Sequence, residues 1–82
     1  MATNENKAAK LCEERMKDID ALLDQIGQEI GMMRREYKDG DGFDWALAGS
    51  LGKARGDLIE AMTSISALSE REIEDTLAEL RG

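Results

Sequence analysis

The chain contains no histidine and no proline, one cysteine, and three aromatic residues. Without histidine, a Cys/His zinc site and a Glu-x-x-His di-iron site are excluded within one chain, and a nucleophilic cysteine has no imidazole as its base. The single cysteine, Cys12, cannot form an internal disulfide and lies among regularly spaced apolar residues. These features favour a buried core cysteine and a reducing, cytoplasmic setting.

Long apolar runs are also missing from the sequence. No run of about 18 apolar residues occurs, so we expect no membrane span. The first ten residues are polar, so we expect no signal peptide. A chain of 82 residues has room for one domain, and we predict a single helical domain over 1–82 with 1–6 frayed.

Positive charge is scarce, and the formal net charge is −7. The one basic cluster, Arg34, Arg35 and Lys38, is diluted by Glu36 and Asp39. Because nucleic-acid binding by counterion release requires clustered Lys and Arg, we expect no direct nucleic-acid binding. Two interpretations of the acidity stay open: it serves solubility, or it favours a partner with a basic surface by copying the charge of a nucleic acid.

What the sequence does contain is a regular spacing. Apolar residues alternate four and three positions apart in two stretches. The first stripe is Cys12, Met16, Ile19, Leu23, Ile26, Ile30, Met33 and Tyr37, and the second is Leu47, Leu51, Ala54, Leu58, Ala61, Ile65 and Leu68. Between them, 38–42 reads Lys-Asp-Gly-Asp-Gly, a turn signal. The pattern predicts an all-α fold: a long antiparallel helical hairpin of about 7–38 and 43–68.

The ends of the helices carry capping signals. Asp41 or Asp44 can cap the second helix by accepting backbone N–H bonds. Ser69 is followed three residues later by Glu72, the spacing of a capping box, so a short C-terminal helix of about 70–80 is predicted. In the hairpin register that we predict, Ile26 of the first helix lies opposite Leu58 of the second.

Five glycines lie inside the predicted helices, where each costs about 1 kcal/mol relative to alanine. Close approach of another backbone would compensate for them. Helical projection groups small and apolar residues on one flank of the hairpin, namely Gly27, Gly31, Ala48, Gly52, Ile59 and Met62. The flank is covered by the third helix or by a second copy of the chain, or it is a docking groove for another protein. Because the third helix has only three large apolar residues, we expect a homodimer.

Candidate catalytic and metal-binding groups have ordinary structural interpretations. Asp39, Asp41 and Asp44 loosely resemble the start of a calcium loop, but the positions that need an acid, Gly and Glu hold Phe43, Asp44 and Ser50. Turn and cap chemistry explains these acids. Paired carboxylates elsewhere fit solvated helix faces. We therefore predict a protein that is not an enzyme, with no catalytic residue, cofactor or metal site.

Two groups remain as candidates for binding another protein. The first is the hairpin tip, where aromatic side chains stand inside an acidic rim: Phe43 and Trp45, with Asp39, Asp41 and Asp44. These aromatic residues either seal the end of the bundle or anchor a partner, because exposed Trp is typical of binding hot spots. The second is the acidic third helix, with Glu70, Glu72, Glu74 and Asp75.

One segment resembles a known pattern. Trp45-Ala-Leu-Ala-Gly-Ser-Leu-Gly52, followed by Leu58-Ile-Glu-Ala61, resembles small helical proteins of phages, prophages and plasmids, which typically have Trp, then Gly-Asp-Leu-Gly four residues on. Here Ser50 replaces the usual acid. The match spans 45–61. The resemblance implies a mobile-element origin and, with it, the cytoplasm of a bacterial host.

The sequence as a whole predicts a binding protein that regulates or inhibits. Small acidic helical proteins of mobile elements resemble anti-defence inhibitors, including the anti-CRISPR class, which cover a surface of a larger nucleic-acid-handling machine. Occlusion of such a surface is the leading hypothesis. The alternative is a structural or assembly protein whose role is self-association.

Overall fold

The computed structural model describes the backbone of residues 3–37 and 42–82 and the side chains of 6–37 and 42–82. It contains three helices: α1 (Thr3–Glu36), α2 (Trp45–Ile65) and α3 (Glu70–Arg81). No strand occurs among these residues. The predicted all-α class is confirmed, with a long first helix, a second helix and a short C-terminal helix.

The first helix begins earlier and ends sooner than predicted. It starts at Thr3, within the segment predicted to be frayed, because a polar sequence does not oppose a helix when it contains good helix formers such as Glu5 and Ala8. Its last residue is Glu36, and Tyr37 closes the final turn by donating its N–H to the carbonyl of Met33 at 2.9 Å. Lys38, where the prediction ends the helix, lies outside the described residues.

The second helix is fixed at both ends by polar side chains. Asp44 is its N-cap, and its carboxylate accepts a hydrogen bond from the Leu47 N–H at 2.9 Å. The helix ends at Ile65 rather than Leu68 because Ser66 turns extended. The Ser66 hydroxyl donates to the carbonyl of Met62 at 2.6 Å, a local bond of the kind that competes with continued helix.

The third helix begins at the predicted capping signal. The Ser69 hydroxyl oxygen accepts the Glu72 N–H at 3.2 Å, and the hydroxyl donates to Glu72 Oε1 at 3.2 Å. Glu70 and Glu72 in the first turn and Arg81 in the last turn match the helix dipole. The helix therefore has its own start signal, independent of α2.

The chain divides into two units, Met1–Asp41 and Gly42–Gly82. The first contains α1, and no described side chain of α1 is buried. The second contains α2 and α3, which contact each other around two buried residues, Ile59 and Ile73. The single domain over 1–82 and the hairpin register stay predictions.

A search of the helices for membrane spans gave a negative result. Among residues 3–37 and 42–82, no helix is both long enough and apolar enough to cross a bilayer.

Candidate functional site

The contact between α2 and α3 has a very small apolar core. Ile59 of α2 and Ile73 of α3 are each 7% exposed, and they are the buried hydrophobic residues of the described chain. Leu77, one turn after Ile73, is half-buried, whereas Leu80 is 78% exposed. The predicted apolar face of α3 is therefore used at its start and left uncovered at its end.

An ion pair lies beside this core and joins the same two helices. Arg55 donates from both terminal nitrogens to the carboxylate of Glu74, with Nη1 at 3.1 Å from Oε2 and Nη2 in contact with Oε1. Hydrogen bonding to Glu74 raises the pKa of Arg55, and hydrogen bonding to Arg55 lowers the pKa of Glu74. The planar guanidinium matches the carboxylate on both oxygens, so the pair fixes orientation as well as charge.

A groove of about 350 Å³ runs between the two helices above this contact. Its lining includes Gly52, Arg55, Gly56, Ile59, Thr63 and Glu70. A Cβ atom added at Gly52 or Gly56 would meet no atom within 4 Å. Gly52 and Gly56 thus leave open space beside α2. Of the predicted occupants, α3 does not approach Gly52 or Gly56 closely, and approach by a second copy or another protein stays a prediction.

The aromatic side chains near the start of α2 form the most exposed apolar feature of the unit. Trp45 is the first residue of α2 and is 92% exposed, and Phe43 is 49% exposed. Both line a shallow depression with Asp44 and Ala48. The carboxylate of Asp44 is already engaged in capping. Asp39 and Asp41, predicted for the acidic rim, lie outside the described residues.

The predicted acidic surface of α3 is divided by its contacts. Glu70, Glu72 and Asp75 are exposed, whereas Glu74 is partly covered and holds Arg55. Three of the four candidate acids are therefore available on the surface, and the fourth contributes to the docking of α3.

The residues of the predicted small-residue flank belong to both units. Gly27 and Gly31 line a shallow depression of about 400 Å³ on α1. Ala48 lies at the aromatic depression, Gly52 and Ile59 line the groove between α2 and α3, and Met62 is 40% exposed. Ile59 was predicted to lie on this flank, and it is buried in the unit that α2 and α3 form, which matches the alternative of cover by the third helix at this position. The alignment of the α1 glycines with those of α2 stays a prediction.

The remaining candidates for chemistry are Cys12 and groups of carboxylates that could hold a metal ion. Cys12, predicted to be a core residue, is exposed, since the described residues of its own unit form one helix with no second element to bury it. Within residues 3–37 and 42–82, no group of three or more Cys, Asp or Glu side chains is placed to hold a metal ion.

Sequence reasoning missed the link between Arg55 and Glu74. A signal was present: Arg55 and Ile59 lie four residues apart on one face of α2, and Ile73 and Glu74 are adjacent on α3. Each helix thus has an apolar residue with a charged residue on the same face, and the two charges have opposite signs. Such a pair of faces favours a contact between the helices. The short connection after Ser66 would then have suggested that the two faces meet.

Comparisons with known proteins gave no relatives. The chain matches no protein-family model, no curated protein and no solved structure.

Proposed function

We propose that the chain is a non-enzymatic protein-binding regulator or inhibitor that covers a surface of a larger partner. The observation that carries this proposal is Trp45. Its side chain is 92% exposed at the first residue of a helix that Asp44 caps. An indole held in water by a fixed helix end is typical of a binding hot spot, where burial against a partner recovers a large apolar area.

The acidic surface indicates which kind of partner fits. The net charge is −7, and α3 exposes Glu70, Glu72 and Asp75. An acidic protein is steered toward a basic surface and repelled by nucleic acid. A host protein that handles nucleic acid presents such a surface. Together with the phage-like segment 45–61, this leads us to propose an anti-defence inhibitor, of mobile-element origin, in the bacterial cytoplasm.

The test is an affinity capture with matched variants. The tagged chain, Trp45→Ala and the control Leu80→Ala, which alters another exposed apolar residue, are each incubated with bacterial lysate, and captured proteins are quantified by mass spectrometry. We expect a basic nucleic-acid-handling protein to be captured by the parent chain and by Leu80→Ala but lost with Trp45→Ala. The purified partner should then lose nucleic-acid binding as the chain is added. Equal capture by all three, or undiminished nucleic-acid binding, refutes the proposal.

The fluorescence of Trp45 also shows directly whether its side chain is buried. It is the one tryptophan of the chain, so intrinsic fluorescence reports on this position alone. We expect emission typical of a water-exposed indole for the free chain and a blue shift on addition of the partner. A partner that binds without shifting the emission uses another surface.

A second candidate function is self-association as a structural or assembly protein. The first stripe favours it, because Met16, Ile19, Leu23 and Ile26 are exposed and no described side chain of α1 is buried. We also propose that the regulator itself is a homodimer. Light scattering at micromolar concentration tests the dimer, and a monomeric mass excludes it.

A further inference from the structure

The first stripe lies along α1, and the described residues of the unit that contains α1 form no second helix to cover it. Met16, Ile19, Leu23 and Ile26 are 39–53% exposed. Four-three spacing over a helix of 34 residues is the pattern that a second helix covers in a coiled coil. Two occupants are available: the stripe of α2 in the same chain, or α1 of a second copy.

An antiparallel pair of α1 helices uses the whole stripe. With Leu23 opposite Ile26 of the second copy, every residue of the stripe meets another residue of the stripe. The layers are Cys12 with Tyr37, Met16 with Met33, Ile19 with Ile30, and Leu23 with Ile26. The two-fold symmetry of the pair repeats each layer.

Charges beside the stripe match in this register. In an antiparallel pair, residues that flank the stripe on one side meet the same side of the other helix. Glu13 then lies beside Arg34 of the second copy, and Arg15 lies beside Glu36 of the second copy. Symmetry repeats both opposite-sign pairs. All four side chains are exposed, and neither ion pair found among residues 6–37 and 42–82 involves them.

The remaining flanking positions bring no like charges together. Asp20 lies beside Gly27 of the second copy, and Leu22 lies beside Glu29 of the second copy. Sliding the pair by one heptad, so that Ile19 opposes Leu23, instead places Asp20 beside Asp20 of the second copy. Charge thus selects one register.

The predicted hairpin register pairs the flanking charges less favourably than the antiparallel α1 pair does. It places Glu29 beside Asp57, a like-sign contact, and Asp57 already pairs with Lys53 at 3.0 Å. It provides no opposite-sign flanking pair. Because α2 ends at Ile65, this register also leaves Met16 without a helical partner. The second copy is therefore the better occupant for the stripe of α1.

A parallel pair is also disfavoured. It would place each stripe residue opposite its own counterpart. Isoleucine at the positions of Ile19 and Ile26, with leucine at the alternate position Leu23, is a combination that favours tetramers over parallel dimers. Antiparallel helices have the further advantage that their dipoles oppose each other.

We infer that two copies of the chain associate through an antiparallel pairing of α1 with α1, with Leu23 opposite Ile26. This inference rests on the proposed homodimer and adds its interface, orientation and register. It does not involve Trp45.

The test uses cysteine cross-linking. In a Cys12→Ser background, two single-cysteine chains are made, Met16→Cys and Met33→Cys, and each is oxidised with glutathione disulfide alone and after mixing. We expect a disulfide-linked dimer only in the mixture, because Met16 opposes Met33 and neither opposes itself. Cross-linking of either chain alone indicates a parallel pair and overturns the inference. A light-scattering dimer without cross-links indicates another interface and overturns the inference alone, whereas a monomer overturns the proposed dimer too.

A charge reversal provides an independent measurement. We expect Glu13→Arg to raise the dimer dissociation constant about tenfold, because two opposite-sign pairs become like-sign pairs, each changing the free energy by up to about 1 kcal/mol. Adding Arg34→Glu should restore the parent value. The matched control is Glu14→Arg, which lies on the side of α1 away from the stripe. Failure of the double variant to recover, with helicity unchanged by circular dichroism, contradicts the register.

Discussion

The two units of this chain solve the problem of a small core in different ways. The α2–α3 unit makes its own tertiary contact, with Ile59 against Ile73 and the ion pair of Arg55 with Glu74 beside it. The α1 unit is a longer helix with more large apolar residues, and none of its described side chains is buried. The longer helix therefore depends on something outside itself, and the shorter pair does not.

This difference separates helix formation from helix stability. An isolated helix gains little from backbone propensity, and most of its stability comes from packing of its apolar face. Within its own unit, α3 obtains that packing from one buried isoleucine and an ion pair. For α1 the packing surface must come from beyond the helix, and in the proposed dimer the stability of α1 and its association would be the same property.

The largest expected effect is a loss of association through the stripe of α1. Ile26→Asp puts a charge into the stripe at two symmetry-related places in the dimer. Because each unpaired charge costs more than about 1.4 kcal/mol on burial, we expect the dissociation constant to rise by at least about 100-fold. Sedimentation equilibrium measures it, and far-ultraviolet circular dichroism should show reduced helicity.

The matched control for this change is Gln28→Asp, which adds the same charge to the exposed side of α1. It should leave the dimer intact. Equal loss of dimer in both variants would show that net charge, rather than the stripe, governs association.

A smaller effect is expected where the α2–α3 unit is broken. Ile73→Ala removes half of the buried contact, and a buried Ile→Ala change costs about 2–5 kcal/mol. We expect the low end, about 2 kcal/mol, because this core is so small. Urea unfolding followed by circular dichroism measures the loss. The control Leu80→Ala removes a side chain that is 78% exposed and should change little; similar losses would mean that Ile73 is not the anchor.

A glycine pair compares the two units at a finer level. An added Cβ at Gly27 of α1 or at Gly52 of α2 meets no atom within 4 Å. Each Gly→Ala change should therefore stabilise its helix by about 0.5–1 kcal/mol. Thermal unfolding measures both. If either variant is more stable yet associates more weakly, a second chain approaches that glycine closely.

The smallest expected effect is a pH dependence at the ion pair. The folded-state pKa of Glu74 is lowered from its ordinary value of 4.5, mainly by its hydrogen bonds to Arg55, with a further contribution from the charge of Arg81. The stabilisation is therefore fully present above pH 4.5 and is lost as pH falls through the folded pKa. Arg55 stays protonated throughout, since hydrogen bonding to Glu74 raises its pKa above an already high ordinary value.

We expect the thermal midpoint of the parent chain to fall more steeply below pH 4.5 than that of Glu74→Gln. Asp75→Asn, an exposed neighbour, is the control and should follow the parent curve. Parallel curves for the parent and Glu74→Gln would show that the pair adds nothing to folding.

Sequence predicted the helices well because their signals are local. The start of α3 follows from Ser69 and Glu72, and the start of α2 from Asp44, all within one turn of the helix ends. The early end of α2 was missed because apolar spacing continues to Leu68, whereas the backbone is already extended at Ser66. The partner of Arg55 depends on how the chain turns between α2 and α3, which no local pattern specifies.

The residues of the candidate site also differ in whether local sequence or the docking of helices decides their exposure. For Trp45 the sequence left two alternatives, sealing the end of the bundle or anchoring a partner, and in the structure its side chain is 92% exposed. Whether Ile59 lies on an open flank or in a covered core could not be predicted, because this depends on where α3 docks. Asp39 and Asp41 lie outside the described residues, so their part in the tip stays a prediction.

The slender attachment of α3 has a consequence for the order in which the chain opens. Regions with few buried contacts exchange their amide hydrogens through local opening, well before global unfolding. With Ile73 as its one buried side chain, α3 should exchange its backbone amides ahead of the central turns of α2. Such opening would uncover Ile59 while α2 remains helical. The chain can thus present a new apolar residue without unfolding α2, close to Gly52 and Gly56, which have no side chains to shield it.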